Sequence, residues 1–316
     1  MVVSVAEYLG QRTDVDFPAI TPVEPKSGAI CPFMDRHCDK VSKGGQPVCM
    51  VRKADNAIWI VCEHRLCATR TKKQAPSPTD PSKNINVPIG LNDYQVDTLW
   101  KIATVIYRGD FTKSDIGIKR EVNIPLAEAG VNYKADYVMR NFTQGTKVDE
   151  ILLEMQGGGE TSSTGAITRH LAKWAKQTPI TNEFLRIPVK ANTIETNAWR
   201  RQQEQFLVKG NVVNQTGGKL VFAVGNALFD YLEKRFKNAS FRDLRDYNWT
   251  LCILAFVEDT SSPPVSGQIP LKIDKARILF TNYGTFVRFL TDQGGPNPEM
   301  FDGEFIMLDG NIKTID

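Results

Sequence analysis

Apolar positions recur with two different periods along the chain, and the switches between them mark out its elements. In LNDYQVDTLWKIATVIY, Val96, Leu99, Trp100, Ala103 and Ile106 fall at helical spacing behind Asn92 or Asp93, which predicts a long amphipathic helix with an N-cap. REVNIPL (around 120–126), KADYVMRN (134–141) and KVDEILLEMQ (147–156) carry the strand signal and predict a meander. TSSTGAITRHLAKWAKQ, capped by Ser163 or Thr164, and ETNAWRRQQEQFLVKG return to a helical pattern. KLVFAVG, NALFDYLEKRF and WTLCILAFVED then alternate strand, helix and strand, and the unbroken apolar run of the last predicts burial on both faces. This order predicts a mixed sheet with a βαβ unit. No internal repeat is present.

The first 84 residues read differently. Pro76, Pro78, Pro81 and Pro88 in TKKQAPSPTDPSKNINVP predict an irregular linker, so residues 1–84 are expected as a small domain and 85–316 as the main one. The 316 residues are 41% hydrophobic and 24% charged, a globular balance. No window approaches the ~18 apolar residues of a membrane helix. MVVSVAEYLGQRTDVDF lacks a basic leader region, so the chain reads as cytosolic rather than exported. Charge sharpens the division. Residues 26–73 hold ten Lys and Arg against four acids, a net +6 within a whole chain of +3. A compact basic segment on a mildly acidic body suits a polyanion.

Five of the six cysteines, at 31, 38, 49, 62 and 67, fall in that segment, while Cys252 sits in LCILAFV as a small buried hydrophobe. An odd cluster in an intracellular chain disfavours disulfides and favours four thiolates around one tetrahedral metal. The expected set is Cys31, Cys38, Cys49 and Cys62, with Cys67 spare or replacing Cys62, and with His37 and His64 as alternative ligands. The spacing C-x6-C-x10-C-x12-C-x4-C lacks paired CxxC knuckles. Iron and zinc both accept such a site. A segment short of large apolar residues would use the metal as its staple.

The meander carries the candidate chemistry. Period-2 alternation puts Glu150, Leu152, Glu154 and Gln156 on one face and Asp149, Ile151, Leu153 and Met155 on the other. The preceding strand holds Asp136, and Glu121 lies fifteen residues earlier. Two adjacent strands each delivering a carboxylate to a sheet rim is what Mg²⁺ needs, with Glu121 as a third.

Helix, meander, Asp, then Glu-x-Gln followed by a helix resembles the PD-(D/E)XK nuclease superfamily. ICPFMDRHCDK…PVCMVRK…WIVCEHRLC looks like the four-cysteine iron-binding domain of NotI-type restriction endonucleases, and the resemblance spans roughly residues 25–260. It implies an α/β fold: a restriction-endonuclease-like core with a mixed central sheet flanked by helices, plus a small N-terminal metal-binding domain built on four cysteines. It also implies a bacterial type II enzyme, a homodimer that cleaves double-stranded DNA at a GC-rich palindrome and leaves 5′-phosphate and 3′-hydroxyl ends. Carried over, Cys31, Cys38, Cys49 and Cys62 match the structural iron or zinc site. Glu121, Asp136, Glu154 and Gln156 match the catalytic set, with Mg²⁺ on Asp136 and Glu154. Ala135 stands where the motif has Pro, and Gln156 where it has Lys. A Gln only exchanges hydrogen bonds, so water activation falls more heavily on the metal, and Lys134, two residues before Asp136, is an alternative source of positive charge.

Arg200, Arg201, Gln202 and Gln203 are residue types that pair with guanine and adenine, and Arg169, Arg52 and Arg65 are further DNA-binding candidates. Three histidines leave no HExxH or HNH site, and GGGE lacks the GK[ST] of a P-loop. The alternatives are a metal-stapled DNA-binding protein without catalysis and an electron-transfer iron protein.

Overall fold

The computed structural model describes residues 2–66, 68–80, 82–124, 133–143, 150–157, 164–191, 195–236, 241–291, 299 and 302–315. The chain is mixed α/β, with seven α-helices and several sheets among the described residues. The N-terminal segment contains β1 (Val2–Tyr8), β2 (Gln11–Arg12), β3 (Ile30–Cys31), β4 (Arg36–His37), α1 (Asp39–Ser42), β5 (Val48–Lys53) and β6 (Ile58–Ile60). It ends in β7 (Lys72–Pro76) and β8 (Asn84–Pro88).

Beyond it come α2 (Asp93–Ile106), β9 (Ile116–Ile124), β10 (Tyr133–Asn141), β11 (Ile151–Gln156), α3 (Thr164–Trp174), α4 (Asn182–Arg186) and β12 (Val189–Lys190). There follow α5 (Glu195–Thr216), β13 (Lys219–Gly225), α6 (Asn226–Arg235), β14 (Leu251–Glu258) and β15 (Leu271–Thr281). Last are α7 (Tyr283–Thr291), β16 (Gly303–Ile306) and β17 (Ile312–Ile315).

The central sheet runs β15-β14-β13-β11-β10-β9. Strands β9, β10 and β11 form the expected antiparallel meander, β13 and β14 add in parallel, and β15 closes the edge antiparallel. The parallel pair β13–β14 around α6 is the βαβ unit, and the run from Leu251 to Phe256 is buried as expected. Helix α2 starts where Asn92 accepts the Gln95 N–H while Gln95 accepts the Asn92 N–H, a capping box that satisfies two helix-end donors.

Strand alternation sends Ile151, Leu153 and Met155 to one core and Leu152 to another. The first core lies under α2 and includes Leu99, Ile102 and Ile106, each contributing about 2 kcal/mol by burial. The second lies under α5, α6 and α7, around Phe206, Phe222, Leu228 and Phe286.

A smaller sheet, ordered β12-β1-β5-β6, lies against the first core through Ala6, Met50, Ile58 and Ile60. Its other side packs Val3, Val5, Val51 and Trp59 on Ile167, Leu171, Trp174 and Leu185 of α3 and α4. The N-terminal residues thus build a strand that crosses to β12, far along the chain. Residues 72–88, expected as an irregular linker, instead form the hairpin β7–β8 with Lys72 opposite Pro88 and Pro76 opposite Asn84. Pro76 and Pro88 sit at strand ends and Pro78 in the turn, where no central ladder bond is lost.

Candidate active site

Register brings the three expected carboxylates to one level of the sheet. Ala135 faces Val122 and Tyr137 faces Arg120, which sets Asp136 across from Glu121; Tyr137 also faces Leu153, which sets Asp136 across from Glu154. The ladder breaks at this level on both sides. Glu121 has φ +49°, a left-handed conformation unusual for a side-chain-bearing residue, so its pairing with Asp136 is interrupted although the register continues on either side. On the other side Asp136 Oδ2 accepts the Met155 N–H at 2.9 Å, and the Asp136 N–H donates to Glu154 Oε1 at 3.4 Å. The strands separate beyond Tyr137 and Leu153, and a cleft opens.

That cleft is about 180 Å³, lined by Asp136, Glu154, Met155 and Gln156 from the sheet and by Gln205 from α5. Glu63, His64, Thr69 and Arg70 supply the facing wall. The wall sits close: a side chain at Gly157 would approach Ile60 O at 3.2 Å and Cys62 O at 3.5 Å. Glycine there lets the end of β11 touch the cysteine-bearing segment.

The residue absent from the sequence expectations is Lys209. It lies on α5 with 1% exposure and its Nζ donates to Glu154 Oε2 at 2.7 Å. Burial and the neighbouring Asp136 carboxylate push the Glu154 carboxyl up, to about 8, against the pull of Lys209. The signal was present in the sequence: Phe206, Lys209 and Val213 share the buried stripe of α5, and a lone lysine on an apolar face needs an acid. Lys134, the alternative source of positive charge, is exposed and does not line the cleft.

The wall has its own polar chain. Arg70 reaches Glu121 Oε1 at 3.4 Å and Asp39 Oδ2 at 3.7 Å, and Asp39 Oδ2 lies 3.0 Å from His64 Nε2. Glu121 is therefore tied by Arg70 to the wall.

Cys31, Cys38, Cys49 and Cys62 are all buried and not disulfide-bonded. The first three share a cluster with Phe33, Met34, Val41 and Ala68, and the Cys62 N–H donates to Cys49 O at 3.1 Å. Cys31 O accepts from Met34 and Asp35 in a tight turn, Asp35 having φ +51°. Burial pushes the Cys31 thiol up to about 12 and those of Cys49 and Cys62 up as well, so thiolates there would need a cation. Among the described residues, however, no three His, Cys, Asp or Glu side chains are grouped as a metal site. Cys67 lies outside the described residues. Cys252 is fully buried, as expected of a core residue.

The basic segment is less available than its charge suggested. Arg65, expected to face DNA, is 0% exposed: Nε and Nη2 donate to Glu7 at 2.7 and 3.1 Å, and further donors go to Tyr94 and the Ile269 carbonyl. That expectation is corrected, because a buried guanidinium needs its donors matched inside. Arg52 is held at 2.8 and 3.3 Å by Glu258. Arg169 is exposed on α3, and Gln203 is half-buried on α5. Arg200, Arg201 and Gln202 belong to α5, and their side chains lie outside the described residues.

No protein-family model matches the chain, and no curated protein is significantly similar to it. No described helix is long and apolar enough to cross a membrane.

Proposed function

We propose that the chain is a Mg²⁺-dependent endonuclease that hydrolyses phosphodiesters in double-stranded DNA, of the type II restriction kind that its resemblance implies. The observation that carries this reading is the level of Asp136 and Glu154 on adjacent strands at an open cleft, with Lys209 buried behind Glu154. An antiparallel meander continued by a parallel crossover agrees with the implied restriction-endonuclease-like core.

Asp136 and Glu154 would hold Mg²⁺, which supplies charge neutralisation and a more acidic bound water. The donor set fits: two hard carboxylate oxygens with room for water and phosphate. Lys209 fixes the Glu154 carboxylate through Oε2. Gln156, at the rim, accepts from and donates to the attacking water, and Arg70 faces the phosphate from the wall. In-line attack then breaks the P–O3′ bond and leaves a 5′-phosphate. A structural iron or zinc on the four cysteines rests on their number, softness and burial and not on their grouping in the structure; such a metal would tie Cys62 to the neighbouring wall residues Glu63 and His64.

The test is digestion of unmethylated GC-rich DNA with Mg²⁺ beside Glu154→Ala and an EDTA control. Discrete bands lost in both controls support the reading. A smear makes the enzyme non-specific, and intact but gel-shifted DNA makes it a binding protein. A homodimer reading a palindrome predicts two-fold symmetric cut ends.

A further inference from the structure

A second cavity, of about 190 Å³, lies at the other end of β11, and nothing in the proposed cleavage uses it. It is bounded by Ile151, the first residue of β11, and its polar lining is Arg108, Lys219, Arg245, Tyr247 and Trp249. Three cations and three aromatic rings, Tyr107 being the third, face one space, and no carboxylate is among the described lining residues. Each part of that set recognises a different part of a nucleotide. Guanidinium and ammonium groups match phosphate oxygens, and aromatic rings stack on bases.

Two described acids meet these cations from outside the cavity. Arg108 meets Asp246 at 2.7 Å and Arg245 meets Asp243 at 3.9 Å, both between exposed side chains. Such pairs contribute little and yield to a doubly charged anion. Lys219 Nζ sits 4.8 Å from the centre of the Trp249 ring, which is buried and holds the ammonium near the cavity. Tyr247, exposed at the mouth, already carries a stacked guanidinium, Arg242 at 4.5 Å. A base laid on Tyr247 would extend that pile.

We propose that this cavity is a nucleotide site, in which Arg108, Lys219 and Arg245 hold the phosphate and Tyr247 stacks the base. The ligand is a nucleoside 5′-monophosphate, free or at the 5′ end of a strand. The proposal does not depend on the nuclease reading, since the site is separate from the acidic cleft.

Isothermal titration of the full chain in EDTA, with dTMP, inorganic phosphate and 5′-phosphorylated tetrathymidylate as probes, tests it. The expected result is saturable dTMP binding, weakened about tenfold or more by Lys219→Gln and by Arg245→Gln, variants of accessible residues whose folding is checked by circular dichroism. Tyr247→Ala should weaken dTMP about fivefold or more and leave phosphate unchanged. Tighter binding of the tetranucleotide than of dTMP assigns the site to strand ends, and equal binding assigns it to free nucleotide. No dTMP binding at millimolar concentration, or phosphate binding as tightly as dTMP, overturns the proposal. So does binding that appears only with Mg²⁺ and survives both cation variants, which would locate the nucleotide in the acidic cleft.

Discussion

The two ends of β11 carry cavities of nearly equal size, about 180 and 190 Å³, with opposite electrostatics. Five residue steps of strand, roughly 17 Å, separate Ile151 in one from Gln156 in the other. At the carboxyl end Glu154 and Lys209 are almost fully buried and locked together. At the amino end Arg108 and Arg245 are about half exposed and paired with exposed acids. Buried, fixed charge resists reorganisation and suits chemistry on a bound group, whereas exposed cations suit capture of an anion. The carboxyl ends of parallel strands are also where open α/β sheets place their ligands, and β11, β13 and β14 run parallel here. On the two proposals made above, one strand would serve two sites whose charge and burial differ in the sense that reaction and retention require.

The wall of the acidic cleft comes from residues 63–70, while no described residue of the basic cavity does. Stripping the proposed metal from the cysteines with a chelator should therefore have the largest effect and the most one-sided one. Loss of several kcal/mol from that segment should abolish Mn²⁺ binding at Asp136 and Glu154, measured by electron paramagnetic resonance, and leave dTMP binding in place. Equal loss at both ends would show that the segment supports the whole molecule.

The Glu7–Arg65 pair holds the same segment from beneath. Glu7→Gln should cost about 4 kcal/mol in urea unfolding, because it leaves a fully buried guanidinium without its charge partner. DNA binding per folded molecule should not change, since Arg65 does not reach the surface. Lys209→Met comes next, at about 3 kcal/mol above pH 8, where Glu154 loses the ammonium that favours its ionised form and is forced to stay protonated. Below pH 6 the loss should nearly vanish, because Glu154 is then protonated.

The last effect is a pH slope, spread over several pH units. With its carboxyl raised from 4.5 to about 8 in the folded chain, Glu154 binds a proton that the unfolded chain releases. Its contribution to stability is fully present below about pH 4.5 and is lost as pH rises to about 8. In EDTA the melting temperature should fall across that window, and Glu154→Gln should flatten the fall. An unchanged slope would mean that the charge of the cleft is balanced by other groups.

Much of this end of the molecule was legible in the sequence, because strand period and chain order alone align Glu121, Asp136 and Glu154. What escaped was long-range. Arg65 looked like a surface cation because its partner, Glu7, lies 58 residues away on β1. Strand β1 itself was read only as a leader that failed, since its pairing with β5 and β12 has no local signature. The mixed pattern of LKIDKARILFT hid β15, whose residues at the sheet edge follow no simple alternation of buried and exposed positions. Lys209 was visible as a charge out of place, yet its reason was a residue on another element.

The central claim is that Asp136 and Glu154 form a cation-dependent cleavage site distinct from the basic cavity. Its most direct measurement is the rate of plasmid cleavage in Mg²⁺ for the wild-type chain, Asp136→Asn and Lys219→Gln, with DNA binding measured alongside. The account predicts a loss of about 10³-fold or more in Asp136→Asn with DNA still bound, and a near wild-type rate in Lys219→Gln. Cleavage that survives Asp136→Asn, or that proceeds in EDTA, would contradict it.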